Sequence, residues 1–122
     1  MKYSILLVED DLDLCELNKE LFEIEGFEVF TANSGNEALK ALEEQKVNAI
    51  FSDVRMPDGD GLFLLSKVNE LGYSGYIDFY FYTGYSDFSE EDVLKLGVMK
   101  LFHKPISIVE ISREIKANLE KQ

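Results

Sequence analysis

The sequence is poor in the residues that cross-link a protein, anchor it in a bilayer or bind it to polyanions. Its single cysteine, Cys15, cannot form an intrachain disulfide, and a lone thiol suits a reducing compartment. One cysteine and one histidine, His103, are too few for a zinc or copper site. No apolar run approaches the roughly 20 residues that span a membrane. The segment from Tyr3 to Val8, close behind the amino terminus, is too short for a signal-peptide core with its cleavage site. These absences lead us to expect a soluble, cytoplasmic chain. Basic residues number 12 against 24 acidic ones, a formal net charge of -12. Phosphate backbones and anionic bilayers reward clustered lysine and arginine, so no direct nucleic-acid partner and no membrane surface is expected. Low-complexity tracts, internal repeats and linkers are missing as well.

What is present is an ordinary globular composition over 122 residues, 46% hydrophobic and 30% charged. That length fits one domain, residues 1–122, which buries enough surface to need no staples. Five short apolar runs read as strands: Tyr3 to Val8, Phe27 to Ala32, Val47 to Ser52, Tyr76 to Tyr82 and Val98 to Phe102. Most are continuously apolar, the pattern of a parallel sheet covered on both faces. The run from Phe27 to Thr31 alternates and is expected nearer an edge. Helical spacing links Leu14, Leu17, Leu21 and Ile24, and again Ile108, Ile111, Ile115 and Leu119. Capping boxes mark starts at Ser34 with Glu37, Ser89 with Asp92, and Ser107 with Glu110, while Gly26, Gly72 and Gly97 mark stops. Five strands alternating with five helices predict a doubly wound α/β sandwich with right-handed crossovers. Such folds place their ligand site at the carboxyl ends of the strands.

The residues at those ends form a set. Glu9-Asp10-Asp11 follows the first strand, Asp53 the third, Thr83-Gly84 the fourth and Lys104-Pro105 the fifth. The intervals are one or two βα units, which brings three of these acids, a hydroxyl and a lysine to one rim. Three packed carboxylates repel unless one is protonated or a cation joins them. Magnesium suits them, because it takes oxygen ligands and keeps several waters. A metal and a lysine beside a carboxylate are poised to stabilise a phosphoryl group in transfer, and the carboxylate can itself be the nucleophile. Taken singly, each residue has a bland reading. An acid after a strand is often a helix N-cap, as Asp11 or Asp13 would be. Lys-Pro is common loop chemistry, and threonine at a strand end is ordinary. Their joint occurrence in this order is not ordinary.

The chain resembles the receiver domains of response regulators over essentially its whole length. The resemblance is carried by Ile5-Leu6-Leu7-Val8-Glu9-Asp10-Asp11, by Phe51-Ser52-Asp53-Val54-Arg55-Met56-Pro57 with Gly59-Asp60-Gly61, by Tyr82-Thr83-Gly84 and by His103-Lys104-Pro105. The acceptor loop is similar to that of nitrogen-regulation-type receivers. The resemblance implies a flavodoxin-like (βα)5 sandwich with a five-stranded parallel sheet in the order 2-1-3-4-5. It implies that Asp53 accepts a phosphoryl group from a histidine kinase or a histidine phosphotransfer protein. Asp10 would bind Mg2+ directly and Glu9 directly or through water. Asp53 and the Arg55 carbonyl would complete the protein ligands. Thr83 would follow the phosphoryl group, Lys104 would pair with it, and the peptide before Pro105 would be cis. The chain would then be no enzyme in the ordinary sense but a switch that catalyses its own phosphorylation and dephosphorylation and is read by a downstream protein effector.

Three departures bear on the output. Gly84 stands where the family most often has alanine. Leu101 stands where an aromatic switch residue is usual, with Phe102 expected on the opposite sheet face. Arg55 and Tyr85 flank the acceptor and the threonine, where side chains either tune phosphoryl lifetime or are simply solvated. Cys15 reads as an inert buried thiol, His103 as structural, and the aromatics Tyr76, Phe79, Tyr80, Phe81 and Tyr82 mainly as core. Ending at Gln122, the chain reads either as a stand-alone receiver or as part of a longer regulator. The rivals are a degenerate receiver used for docking, a magnesium phosphohydrolase suggested by Asp11-Leu12-Asp13, and a flavodoxin-like cofactor binder. The last lacks a glycine-rich phosphate loop after the first strand, where acids would repel a phosphate.

Overall fold

The computed structural model describes residues 2–73, 75–84 and 90–122, with only the backbone of 90. Among these residues, strands and helices alternate strictly: β1 Ser4–Val8, α1 Leu12–Ile24, β2 Glu28–Ala32, α2 Gly35–Glu44, β3 Ala49–Asp53, α3 Gly61–Glu70, β4 Asp78–Thr83, α4 Glu90–Leu94, β5 Lys100–His103 and α5 Ile108–Glu120. The strands form one parallel sheet in the order β2-β1-β3-β4-β5. This is the doubly wound topology expected from the sequence, with β2 at an edge as its alternation foretold.

The continuously apolar strands have a direct cause. Side chains alternate across the sheet, and helices bury both faces. Leu6, Val8, Ile50, Phe79, Phe81 and Leu101 pack on the side of α2, α3 and α4. Ile5, Leu7, Ala49, Phe51, Tyr80 and Tyr82 pack on the side of α1 and α5. Each strand begins one or two residues later than its apolar run. Phe27, Val47 and Val98 are buried in the loops that enter the strands, so their apolar character marks burial and not pairing. Tyr76 differs: it lies outside β4 and is 83% exposed, so it is no core residue.

The helix ends follow capping chemistry. Asp11 caps α1, its Oδ1 accepting from the Leu14 amide at 3.1 Å. Ser34 caps α2 and Ser107 caps α5 as read from the sequence. Asp60, not foreseen, caps α3 through the Phe63 amide at 2.9 Å. Ser89 and Tyr85 lie outside the described residues. Gly26, Gly72 and Gly97 all adopt positive φ where helices stop, the conformation glycine reaches without a Cβ penalty.

Helix α1 has the period of its leucine stripe, but the stripe meets the core only in part: Leu14 and Leu21 are half-buried, and Leu21 packs against the buried cluster. Cys15, Asn18 and Phe22 point into the core, whereas Leu17 is 52% and Ile24 76% exposed. On α5, by contrast, Ile108, Ile111, Ile115 and Leu119 are all buried as expected.

Candidate functional site

The parallel register gathers the site. Val8 pairs with Ser52, Asp53 with Tyr82, and Thr83 with His103. The residues that end or follow these strands therefore share one rim, and the structure brings Glu9, Asp10, Asp53, Thr83 and Lys104 to it. Carboxylate oxygens of Glu9, Asp10 and Asp53 all lie within 4.8 Å of one another. Glu9 and Asp53 are buried and Asp10 is exposed, so the cluster opens to solvent on one side.

Both buried carboxylates are held by named donors. Asp53 Oδ1 accepts from the Arg55 amide at 3.3 Å, and Oδ2 accepts from Lys104 Nζ at 3.2 Å. Glu9 Oε2 accepts from the Asp11 amide at 3.1 Å, and Oε1 accepts from the Tyr82 hydroxyl at 2.9 Å. Lys104 Nζ is also 3.8 Å from Glu9 Oε1. The peptide between Lys104 and Pro105 is cis, and the Lys104 amide donates to the Thr83 carbonyl at 2.8 Å. Burial, above all, pushes the Glu9 carboxyl above its usual range, with the charge of Asp53 adding to it; the Asp11 and Tyr82 hydrogen bonds and the Lys104 charge act in the opposite sense. Burial first, then the charge of Glu9, pushes the Tyr82 phenol well above its ordinary value.

A hard divalent cation fits this donor set. Three carboxylate oxygens face one another with a single lysine nearby, and the exposed side leaves room for water. Arg55 is exposed and reaches the site through its backbone.

The acceptor loop between β3 and α3 is tied down on two sides. The Gly61 amide donates to the Val54 carbonyl at 2.8 Å, and the Gly35 amide to the Gly59 carbonyl at 2.6 Å. Asn36 Nδ2 donates to Asp58 Oδ1 at 2.9 Å, and Asp58 itself has a φ of 53°. A Cβ on Gly61 would lie 2.5 Å from the Asp53 carbonyl oxygen and 2.7 Å from the Phe81 ring, so only glycine fits there. Asn33 Nδ2 donates to the Glu9 carbonyl at 2.9 Å, joining the loop after β2 to the acid loop.

Sequence reasoning missed Tyr82, Asn33 and Asn36. For Tyr82 a signal existed. A buried tyrosine needs a partner for its hydroxyl, and this one directly precedes Thr83 at a strand end. Cys15 is buried, and its thiol is pushed up to about 11 by desolvation first and the charge of Glu9 next. His103 is exposed, opposite Thr83 in the sheet. Leu101 is buried on the α2, α3 and α4 side, while Phe102 packs on the other face, as alternation required. Among the described residues, no helix is long and apolar enough to cross a membrane.

The sequence model of the response regulator receiver domain matches residues 5–116. The chain is 35% identical over 118 residues to a CpxR homologue, a transcriptional regulatory protein of Haemophilus influenzae, covering 97% of this chain and 51% of that protein. It is 32% identical over 119 residues to the transcriptional regulatory protein ZraR of Escherichia coli K12, covering 97% of this chain and 26% of that one. The chain thus spans about half of the first of these curated relatives and about a quarter of the second. Among solved structures, it superposes on a CheY-like response regulator receiver domain protein of Methanospirillum hungatei with a TM-score of 0.86 at 29% identity, covering 99% of this chain and 96% of that one. A Francisella response regulator receiver domain gives a TM-score of 0.88 at 24% identity, covering 98% of each chain, a likeness of fold. With its (βα)5 sheet, its acid-rich rim and a family match across nearly its full length, the chain belongs to the response-regulator receiver domains, the signalling modules of two-component systems.

Proposed function

We propose that residues 1–122 act as one receiver domain in which Asp53 accepts the phosphoryl group. The observation that carries this reading is the Asp53 carboxylate, held by the Arg55 amide and by Lys104 Nζ at 3.2 Å, beside two further acids. An Asp53 oxygen attacks phosphorus as the P–N bond of a phosphohistidine donor breaks, and the electron pair leaves on the imidazole nitrogen. In the second step water attacks phosphorus, the P–O bond to Asp53 breaks, the carboxylate leaves and inorganic phosphate is released with the water's protons. The chain catalyses both steps on itself and turns over no other substrate. Mg2+ held by Glu9, Asp10, Asp53 and the Arg55 carbonyl would neutralise the crowded acids and the charge that develops on phosphoryl oxygens. Lys104 already stands beside Asp53 and is placed to pair with a phosphoryl oxygen. Thr83, buried at the end of β4, supplies a hydroxyl to the same group.

The donor, a histidine kinase or histidine phosphotransfer protein, must approach this rim. An apolar groove of about 300 Å³ lined by Leu14, Leu17, Leu21, Lys104 and Ile106 supports its docking beside α1, because Lys104 lines both groove and acceptor site. Phosphorylation adds about -1.5 to -2 charge at a rim already rich in acids. Lys104 and Thr83 respond, and the exposed Leu94, Leu96 and Met99 near α4 and β5 offer a downstream protein effector its contact. The cytoplasm is the expected setting, which the lone cysteine suits.

The test is exposure to a small acyl-phosphate donor with Mg2+, read by intact-protein mass. Wild type should gain the mass of one phosphoryl group, and Asp53→Ala should not. Equal labelling of both would assign the acceptor elsewhere.

A further inference from the structure

Tyr82 is the side chain of this rim that neither the acid cluster nor the threonine–lysine pair accounts for. It pairs with Asp53 in the sheet and is fully buried. Its ring stacks on Phe51 with centroids 4.3 Å apart and planes 17° from parallel, which fixes the phenol. Two things hang on that ring. The hydroxyl donates to Glu9 Oε1 at 2.9 Å, with the Val8 carbonyl as a more distant acceptor at 3.3 Å. The face lies 5.2 Å from Lys104 Nζ, within cation–π range.

Glu9 needs such a support. It is a buried carboxylate facing Asp53, and repulsion alone would turn it away. Its two oxygens are instead held one each, Oε2 by the Asp11 amide and Oε1 by Tyr82. Among the described residues, the Tyr82 bond is the hydrogen bond that ties this carboxylate to β4, the strand that pairs with Asp53 and ends in Thr83, while Lys104 Nζ adds a longer charge contact at 3.8 Å from the loop after β5.

We propose that Tyr82 is a positioning residue of the metal site: its hydroxyl holds Glu9 in the orientation that gathers three carboxylates, and its ring steadies Lys104 beside Asp53. The proposal rests on the reading of the acid cluster as a Mg2+ site. Partners that orient a metal's ligands typically matter by 10–100-fold in affinity. Tyr82→Phe removes the hydroxyl and keeps the ring, so it separates the two roles.

The experiment titrates Mg2+ calorimetrically into the full chain at fixed pH and ionic strength. It also follows acyl-phosphate labelling across Mg2+ concentrations. Tyr80→Phe is the control, since Tyr80 lies on the same strand and face but bonds Asn118 at 2.8 Å, away from the acids. Tyr82→Phe should bind Mg2+ about 10–100-fold more weakly, with the same rise in half-saturating Mg2+ and a limiting rate near wild type. Tyr80→Phe should match wild type in both. Tyr82→Leu, which also removes the ring from Lys104, should lower the limiting rate in addition. Unchanged Mg2+ affinity in Tyr82→Phe, or a loss of stability with unchanged half-saturation, overturns the proposal. Wild type that binds no Mg2+ overturns the metal reading itself, a result distinct from either.

Discussion

Lys104 Nζ stands 3.2 Å from Asp53 Oδ2, joining the loop after β5 to the end of β3. The lysine side chain is about one-third exposed and the aspartate 8% exposed, so the pair is neither a surface contact nor fully dry. Removing the lysine leaves Asp53 and Glu9 facing each other with, among the described contacts, the Arg55 and Asp11 amides and the Tyr82 hydroxyl as donors. Lys104→Met, which keeps most of the apolar stem, should therefore destabilise the metal-free chain by about 1–3 kcal/mol, between the values of exposed and buried pairs. Urea unfolding in a chelator measures this. A stability equal to wild type would mean that the ammonium contributes nothing before phosphorylation.

Metal addition should act in the opposite direction. A ligand that binds the folded state alone stabilises by about 2.7 kcal/mol at a hundred times its dissociation constant. Asp10 is exposed on the rim, so Asp10→Asn costs the fold little while removing one of the three clustered carboxylates. Wild type should gain stability with Mg2+, and Asp10→Asn should gain much less. Equal gains would remove Asp10 from the ligand set.

Two glycines of the site, the close-packed Gly61 and the exposed Gly84, should respond in opposite ways. A Cβ on Gly61 would press on the Asp53 carbonyl and the Phe81 ring, whereas one on Gly84 would meet Lys104 Cδ at an ordinary 3.8 Å. Gly61→Ala should cost about 1–3 kcal/mol, as overpacking does. Gly84→Ala, without a positive φ to resist it, should be neutral or stabilising by about 0.4–1 kcal/mol through the unfolded chain. Denaturant midpoints of the two variants decide. A large loss in Gly84→Ala would mean that Lys104 cannot accommodate the methyl group.

Much of this was legible in the sequence, for identifiable reasons. The meeting of Glu9, Asp10, Asp53, Thr83 and Lys104 follows from parallel βα units, whose carboxyl ends coincide whatever the loops do, whereas the strand order was implied by the family resemblance and not by alternation. The inward face of α1 was not legible. Leucines outscore Asn18 and Cys15 in hydrophobicity, yet the polar Asn18 is buried and Leu17 is exposed. Periodicity fixes a spacing but not which of two adjacent stripes faces the sheet. The role of Tyr82 was hidden because a tyrosine in an aromatic strand satisfies core packing by itself. Only the pairing with Asp53 aims its hydroxyl at Glu9. Asn36, in the first turn of α2, meets Asp58, in the loop after β3, and no spacing rule connects the two.

Alkaline stability offers a test of the core behind the site. Burial, aided by the charge of Glu9, raises the Cys15 thiol from 9.0 to about 11, and burial raises Tyr80 from 10.0 to about 12. A group whose pKa is raised on folding contributes stability that is fully present below its unfolded pKa. That stability is lost as pH rises through the folded value. For Cys15 the window runs from about 9 to about 11. The two-unit rise corresponds to roughly 2–3 kcal/mol at its upper end. Tyr80 continues the decline from about 10 to about 12. Wild type should therefore lose stability steadily above pH 9 in urea titrations. Cys15→Ala should start lower, because it leaves a small cavity, but its stability should fall less steeply over the thiol's window. Parallel slopes for the two proteins would show that the thiol titrates as freely folded as unfolded, and that α1 does not seal the site from behind.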